Sequence, residues 1–274
     1  MSASVARPGT TRNDVPELIR TWEPQAPRAE LVLLHGLAEH SGRYEAVGAQ
    51  LAGAGFRVRS FDLIGFGASG GTRGDIESWT RYLDQVEDHV GAIRSDLPLV
   101  LFGHSMGGLI ALEYTIAERP APDLLILSSP GLMGGQAWQR AVAPLAARLA
   151  PKLAMPNGLK GEQLSRDPAV GEAYFADPLV LTKSTNRLGA EMFAAMARTR
   201  AMIDRLDVPT LVIHGGADTV VPASASVPLG ELDNVTRKLY PKLRHEWMNE
   251  PEGREIVSEI IGWLDARLAE LTKR

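Results

Sequence analysis

Apolar positions along the chain follow two rhythms. Short unbroken runs, Leu31-Val32-Leu33-Leu34, Leu99-Val100-Leu101-Phe102, Leu124-Leu125-Ile126-Leu127 and Thr210-Leu211-Val212-Ile213, have the length and composition of strands buried on both faces. Between them apolar residues recur three or four apart, as on one face of a helix. Val47, Leu51 and Ala54 mark one such helix, closed by Gly53 and Gly55. Leu83, Val86, Val90 and Ile93 mark a second over 79–94, and a final amphipathic helix is expected over 252–271. After a polar leader, segments 18–22, 56–61 and 235–240 read as further strands, the second with one wetter face. Strands alternating with helices this regularly predict an α/β fold, a mostly parallel central sheet with helices on both faces.

From 132 to 203 the rhythm breaks. Trp138, Val142, Leu145 and Leu149 share one helical face, with Pro144 expected to kink or restart that helix. A segment studded with Pro and Gly follows, and then Leu188, Met192, Ala195, Met196 and Met202 mark another helix. The expectation is a core made of 1–131 and 204–274, with 132–203 inserted as a helical cap over the sheet's C-terminal edge. The cap's apolar helices are expected to line a tunnel. The methionines at 192–202 suit either a pliable lipid-contacting surface or ordinary packing.

Composition narrows the classes. Apolar residues make up 45% of 274 positions and charged ones 23%, enough for a sizeable core. A net charge of −4 with interspersed signs lacks the basic stripe of a nucleic-acid binder. The absence of cysteine excludes disulfides, a thiol nucleophile and thiolate metal sites, and it fits a reducing compartment. No signal-like apolar region opens the chain and no run reaches the ~18 residues of a membrane span, so a cytoplasmic protein is expected.

The chain is organised around Gly103-His104-Ser105-Met106-Gly107, which joins a buried strand to an apolar, helix-compatible segment. This is the context of a nucleophile elbow, a strand–turn–helix that lifts a serine hydroxyl onto the rim of a sheet. Glycines flank Ser105 because the backbone there passes too close to its neighbours for a Cβ. A serine hydroxyl needs a base, and the base needs an orienting acid, in the chain order Ser, acid, His. Only His214 and His245 lie downstream. His214 ends its strand directly and is expected to brace the loop, whereas His245 lies a few residues past the last strand and can swing over the sheet edge. His245 is therefore the expected base. Asp218, on the loop after the preceding strand, is the expected acid, with Asp233 and Glu246 assigned to solvated surface. The oxyanion donors are expected to be the N–H groups of Met106, at a helix N-terminus, and Leu37, after the first buried strand.

Two other motifs carry less. Gly65-Phe66-Gly67-Ala68-Ser69-Gly70 matches a dinucleotide fingerprint, but no helix opens after it. His245-Glu246-Trp247-Met248-Asn249 starts like a zinc-protease helix, but Asn249 stands where the second ligand belongs. No metal and no cofactor is expected.

The blocks HGLAEHSGRY at 35–44, FDLIGFGASGG at 61–71, GHSMGG at 103–108, HGGAD at 214–218 and YPKLRHEWMNEPE at 240–252 resemble, in order and spacing, those of monoacylglycerol lipases. These are lid-bearing serine hydrolases of the α/β-hydrolase superfamily. The resemblance covers nearly the whole chain and is weakest in the cap. It implies Ser105, Asp218 and His245 as the triad, Leu37 and Met106 at the oxyanion hole, and Glu39 and Arg43 at the polar end of the pocket beside the glycerol moiety. A plain reading of that last pair is a salt bridge fixing the loop. Ala38 stands where the family often has glycine. The implied reaction is ester hydrolysis of a single-chain lipid through an acyl-enzyme. A broad carboxylesterase, a lysophospholipase, a proline-type aminopeptidase and a non-catalytic binding protein are the competing readings. Peripheral membrane or micelle contact through the cap and a homodimer are the expected associations.

Overall fold

A computed structural model describes residues 3–93 and 95–272, so Arg94, the last position of the helix expected over 79–94, lies outside the described residues. In chain order the elements are β1 (Val5–Thr10), β2 (Pro16–Trp22), β3 (Ala29–Leu34), α1 (Glu45–Gly53), β4 (Phe56–Phe61), α2 (Thr80–Gly91), β5 (Leu99–His104), α3 (Met106–Ile116) and β6 (Leu124–Ser128). Then come α4 (Ala137–Leu149), β7 (Ala154–Pro156), α5 (Gly161–Leu164), α6 (Pro168–Ala176), β8 (Lys183–Thr185), α7 (Asn186–Ala201), β9 (Thr210–Gly215), β10 (Val235–Tyr240) and α8 (Gly253–Leu271).

The main sheet has the order β1-β2-β4-β3-β5-β6-β9-β10, antiparallel in its first two pairings and parallel in the rest. Alternation along each inner strand sends side chains to two cores. Val32, Leu34, Leu101, Leu125, Leu127 and Val212 meet α2, α3 and α7 on one face. Leu31, Leu33, Val100, Phe102, Ile126 and Ile213 meet α1 and α8 on the other. Each such fully buried side chain stabilises the fold by about 1.5–3 kcal/mol, which is why the runs are apolar without a break. The sheet is mostly parallel and covered on both faces, as the pattern of runs predicts, and the fold is that of an α/β-hydrolase, as the resemblance implies.

Register decides what shares an edge. Leu34 pairs with Gly103, His104 with Ser128, and Ser128 with Ile213. The C-terminal ends of β3, β5, β6 and β9 are thus level, and the loops leaving them crowd together, as expected for a site on a parallel sheet. The glycine-rich loop after β4 is knitted into this edge by Asp62, whose carboxylate accepts from Ser41 N–H at 2.8 Å, Ser41 Oγ–H at 2.6 Å and Ala68 N–H at 2.8 Å.

Several expectations are corrected. The polar leader contains β1, an edge strand that Pro8 and Gly9 disguise and that buries almost nothing. The helix through Pro144 does not restart but runs on as one element, α4, at an exposed surface where water can take the carbonyl that the missing N–H leaves. Its apolar face points outward rather than into a tunnel: Trp138, Val142, Leu145 and Leu149 are 61%, 47%, 59% and 75% exposed. Between α4 and α7 the chain also forms α5, α6 and the small β7–β8 ribbon, none of which the apolar pattern announces. Among the described residues no helix is long and apolar enough to cross a membrane.

Candidate active site

Ser105 occupies φ +53°, ψ −117°, a conformation that L residues rarely adopt. Three bonds hold the turn there: Ser105 N–H donates to Ser128 O at 2.9 Å, while Gly131 N–H and Leu109 N–H donate to Ser105 O at 2.8 and 3.1 Å. The flanking glycines are required by close approach, since a Cβ at Gly107 would lie 2.5 Å from the carbonyl oxygens of both Leu34 and His35. A Cβ at Gly36 would lie 3.2 Å from Ser105 Cβ, so the loop after β3 runs beside the serine. In that loop Ala38 also holds a positive φ, +69°, where glycine is at ease and alanine is not.

The structure brings together three residues far apart in the chain. His245 Nε2 lies 2.9 Å from Ser105 Oγ, whose hydroxyl can donate to it, and Nδ1 donates to Asp218 Oδ2 at 2.7 Å. Asp218 is held in turn, its Oδ1 accepting from Val220 N–H and Val221 N–H at 2.8 and 2.9 Å. His214 braces this loop, with Nδ1 2.9 Å from Ser226 Oγ and Nε2 2.9 Å from Val221 O. Burial works against charge on His245, but the charge and hydrogen bond of Asp218, aided by Glu246 and Glu39, raise its pKa above the ordinary imidazole value. Burial likewise opposes ionisation of Asp218; the charge of His245 and the hydrogen bonds it receives outweigh this and hold it well below the usual carboxylate range. The arrangement can deprotonate a serine and stabilise the imidazolium that results.

Above this chain opens a cavity of about 200 Å³. Leu37, Met106 and Ser105 line its floor, and Met133, Leu159, Leu164, Met192, Met196 and Val221 line its walls. Met106 is the first residue of α3, so its N–H has no acceptor within the helix. The segment 132–203 therefore contributes much of the roof, through residues other than the α4 face. Met192 and Met196 both reach the cavity, and Met196 packs at the same time into the core.

One end of the cavity is polar. Glu39 and Glu246 line it, and Arg43 stands behind them, pairing with Glu39 Oε2 at 2.6 Å and with both oxygens of Glu246 at 2.6 and 2.8 Å. Glu39 also accepts from Gly36 N–H at 2.6 Å and Tyr44 Oη–H at 2.7 Å. Burial disfavours the charged form of Glu39, yet Arg43, then His35 and these two donors, leave its pKa below the ordinary value. Glu246 is thus buried and ion-paired, not part of a solvated surface; Asp233 is exposed. Tyr174, on α6, lines the same end with Arg43 over its ring at 4.6 Å. Its buried hydroxyl has no partner among the described residues. The apolar pattern overlooked Tyr174, although Asp167-Pro168, an N-cap followed by proline at the first helical position, signals the start of α6.

The model of a family described as serine aminopeptidase, S33, matches residues 25–252. The chain belongs to this family. It is a serine hydrolase of the carboxylic-ester kind, and its relatives bear out the resemblance drawn from the motifs. A monoacylglycerol lipase of Mycolicibacterium smegmatis is 34% identical over 261 residues, covering 90% of this chain and 92% of that protein. The phospholipase YtpA of Bacillus subtilis is 34% identical, covering 89% and 98%. Among solved structures, a Paleococcus ferrophilus monoacylglycerol lipase superposes with a TM-score of 0.83 at 32% identity, covering 91% of this chain and 98% of that one.

Proposed function

We propose that the protein hydrolyses monoacylglycerols to fatty acid and glycerol. The observation that carries this is the unbroken hydrogen-bond chain from Asp218 through His245 to Ser105, at the floor of an apolar cavity with one charged end. Ser105 attacks the ester carbonyl as His245 takes its proton, and the N–H groups of Leu37 and Met106 hold the developing oxyanion. The imidazolium then protonates the departing glycerol, and water activated by the same His245 releases the fatty acid. Asp218 holds the imidazole tautomer and stabilises its charge. Segment 132–203 acts as the cap. Its methionines and leucines receive the acyl chain, with affinity rising by up to ~0.8 kcal/mol per buried CH₂. Glu39, held by Arg43, and the unpartnered Tyr174 hydroxyl face the alcohol. The outward apolar face of α4 touches the membrane or micelle that supplies the lipid, since four large apolar side chains exposed in a row are costly in water and favourable at an interface.

The test is a panel of monoacylglycerols, diacylglycerols and lysophospholipids beside p-nitrophenyl esters of increasing chain length, with Ser105→Ala as control. Preference for monoacylglycerols, abolished in Ser105→Ala, is the expected result. Equal rates on every headgroup overturn the glycerol assignment. Preference for lysophospholipids favours a phospholipase reading, to which the Bacillus subtilis relative lends its weight.

A further inference from the structure

His245 does not stand on a helix or a strand. It lies between β10 and the short 3-10 turn at Trp247–Asn249, in a loop with no regular hydrogen-bond ladder of its own. A catalytic group on such a loop keeps its place only if other groups hold the backbone. The holding is done by 163–166, a stretch of the inserted segment. His245 N–H donates to Gln163 O at 3.3 Å, Glu246 N–H donates to Leu164 O at 2.8 Å, and the Arg244 guanidinium donates to Ser165 O at 2.9 Å. The same stretch reaches the loop of the acid, where Gln163 Nε2 donates to Thr219 Oγ1 at 3.2 Å.

The two strips of backbone are joined by one carboxylate, five residues after the histidine. The Glu250 side chain is fully buried. Its Oε1 accepts from Arg244 N–H at 2.9 Å, on the histidine's side. Its Oε2 accepts from Arg166 N–H and Arg166 Nε–H, both at 3.0 Å, on the other side, with Ser165 Oγ at 3.3 Å. Ser165 Oγ also lies 3.0 Å from Asn249 O, and Arg166 reaches on to Glu252. A buried carboxylate binding backbone N–H groups of two separate segments has no freedom to let one move without the other. Arg166, the cation that balances it, is itself half-exposed.

We infer that Glu250 is a positioning residue for the hydrolysis: it fastens the loop of His245 to residues 163–166, so that the seating of the inserted segment and the reach of His245 to Ser105 are set together. The inference rests on the reading of His245 as base and adds to it a dependence on the roof. A misplacement of about 1 Å in a reacting group costs a rate factor on the order of 100, and the amide of glutamine can satisfy only one side of the clamp because it has a single acceptor oxygen. The consequence is specific: loosening the clamp slows even an ester too small to touch the roof.

The experiment measures kcat and KM of wild type, Glu250→Gln and Arg166→Gln on p-nitrophenyl acetate and p-nitrophenyl decanoate, with thermal melts to verify folding and with the rate of fluorophosphonate labelling of Ser105. For Glu250→Gln the expected result is a fall in kcat of about 10- to 100-fold on both esters alike. KM stays within about twofold and labelling slows in parallel. Arg166→Gln keeps its backbone N–H and shows a smaller loss of the same kind. Unchanged kcat on acetate, with only the KM for decanoate raised, overturns the inference and leaves Glu250 as a fastener of the roof. Should Glu250→Gln fail to fold, Arg166→Gln decides alone, by whether its kcat on acetate falls. Full acetate activity in His245→Ala would instead defeat the assignment of the base, whatever Glu250 does.

Discussion

Trp247 donates its indole N–H to Ser128 Oγ at 2.7 Å, and that bond sets the direction of the next one. An indole nitrogen can only donate, so Ser128 must accept, and its own proton is free for His104 Nδ1, 2.8 Å away. A donor on Nδ1 keeps His104 neutral with its proton on Nε2. Burial and the nearby charge of His245, whose ring centroid is 4.9 Å away, push the His104 pKa down to about 3. The neighbour of the proposed base therefore does not compete with it for a proton.

Removing the middle of that relay has a defined cost. Ser128→Ala leaves the Trp247 N–H and His104 Nδ1 buried without partners, each at about 1–3 kcal/mol. A loss of at least about 2 kcal/mol is expected from urea unfolding at neutral pH. An unchanged midpoint refutes the directional argument.

The pH dependence of kcat/KM follows from the raised pKa of His245. The base works only when neutral, so activity is absent well below its pKa and complete above it. The acid limb therefore lies above the ordinary imidazole value of about 6.5. Asp218→Asn removes the charge that raises it: kcat falls by roughly 10⁴-fold, and the limb of the residual activity moves to lower pH. A limb that stays in place counts against this pairing.

Arg43→Met strips the only cation from two buried carboxylates, Glu39 and Glu246, among the described residues. Breaking such a cluster costs about 3–5 kcal/mol. Glu39, whose folded pKa is depressed, contributes stability above its unfolded value of about 4.3 and loses it as pH falls through the folded value. In the variant Glu39 no longer gains from ionising, so the difference from wild type is large at pH 7 and smaller near pH 4. Equal differences at both, by denaturant titration, contradict it.

The outward face of α4 is tested with vesicles. Trp138→Ser combined with Leu145→Ser removes two side chains worth about 1.5–3 kcal/mol each when buried, and partitioning onto phosphatidylcholine vesicles drops about 100-fold or more. Turnover of p-nitrophenyl acetate in solution is unaffected. Undiminished vesicle binding in a sedimentation assay removes the membrane role of this face.

Local features are legible in the sequence itself. Buried runs such as Leu124–Leu127 announce strands because both faces of the sheet are dry, and glycines at 103 and 107 announce a tight turn because only close backbone passage demands them. The elbow motif, chain order and the place of each loop after its strand together singled out Ser105, Asp218 and His245, which the fold brings to hydrogen-bonding distance. The edge strand β1 was hidden because it has no buried face to impose alternation.

Burial of charge, in contrast, was decided only by the tertiary structure. Glu246 reads as surface until Arg43, 203 positions earlier, is found beside it. The Trp247–Ser128–His104 relay and the clamp at Glu250 likewise join segments that no spacing connects. The direction of the α4 face was equally open, since periodicity reports that a face is apolar but not what it meets. A pattern of side chains determines which elements form; which polar groups lose their water, and with whom, depends on how those elements pack.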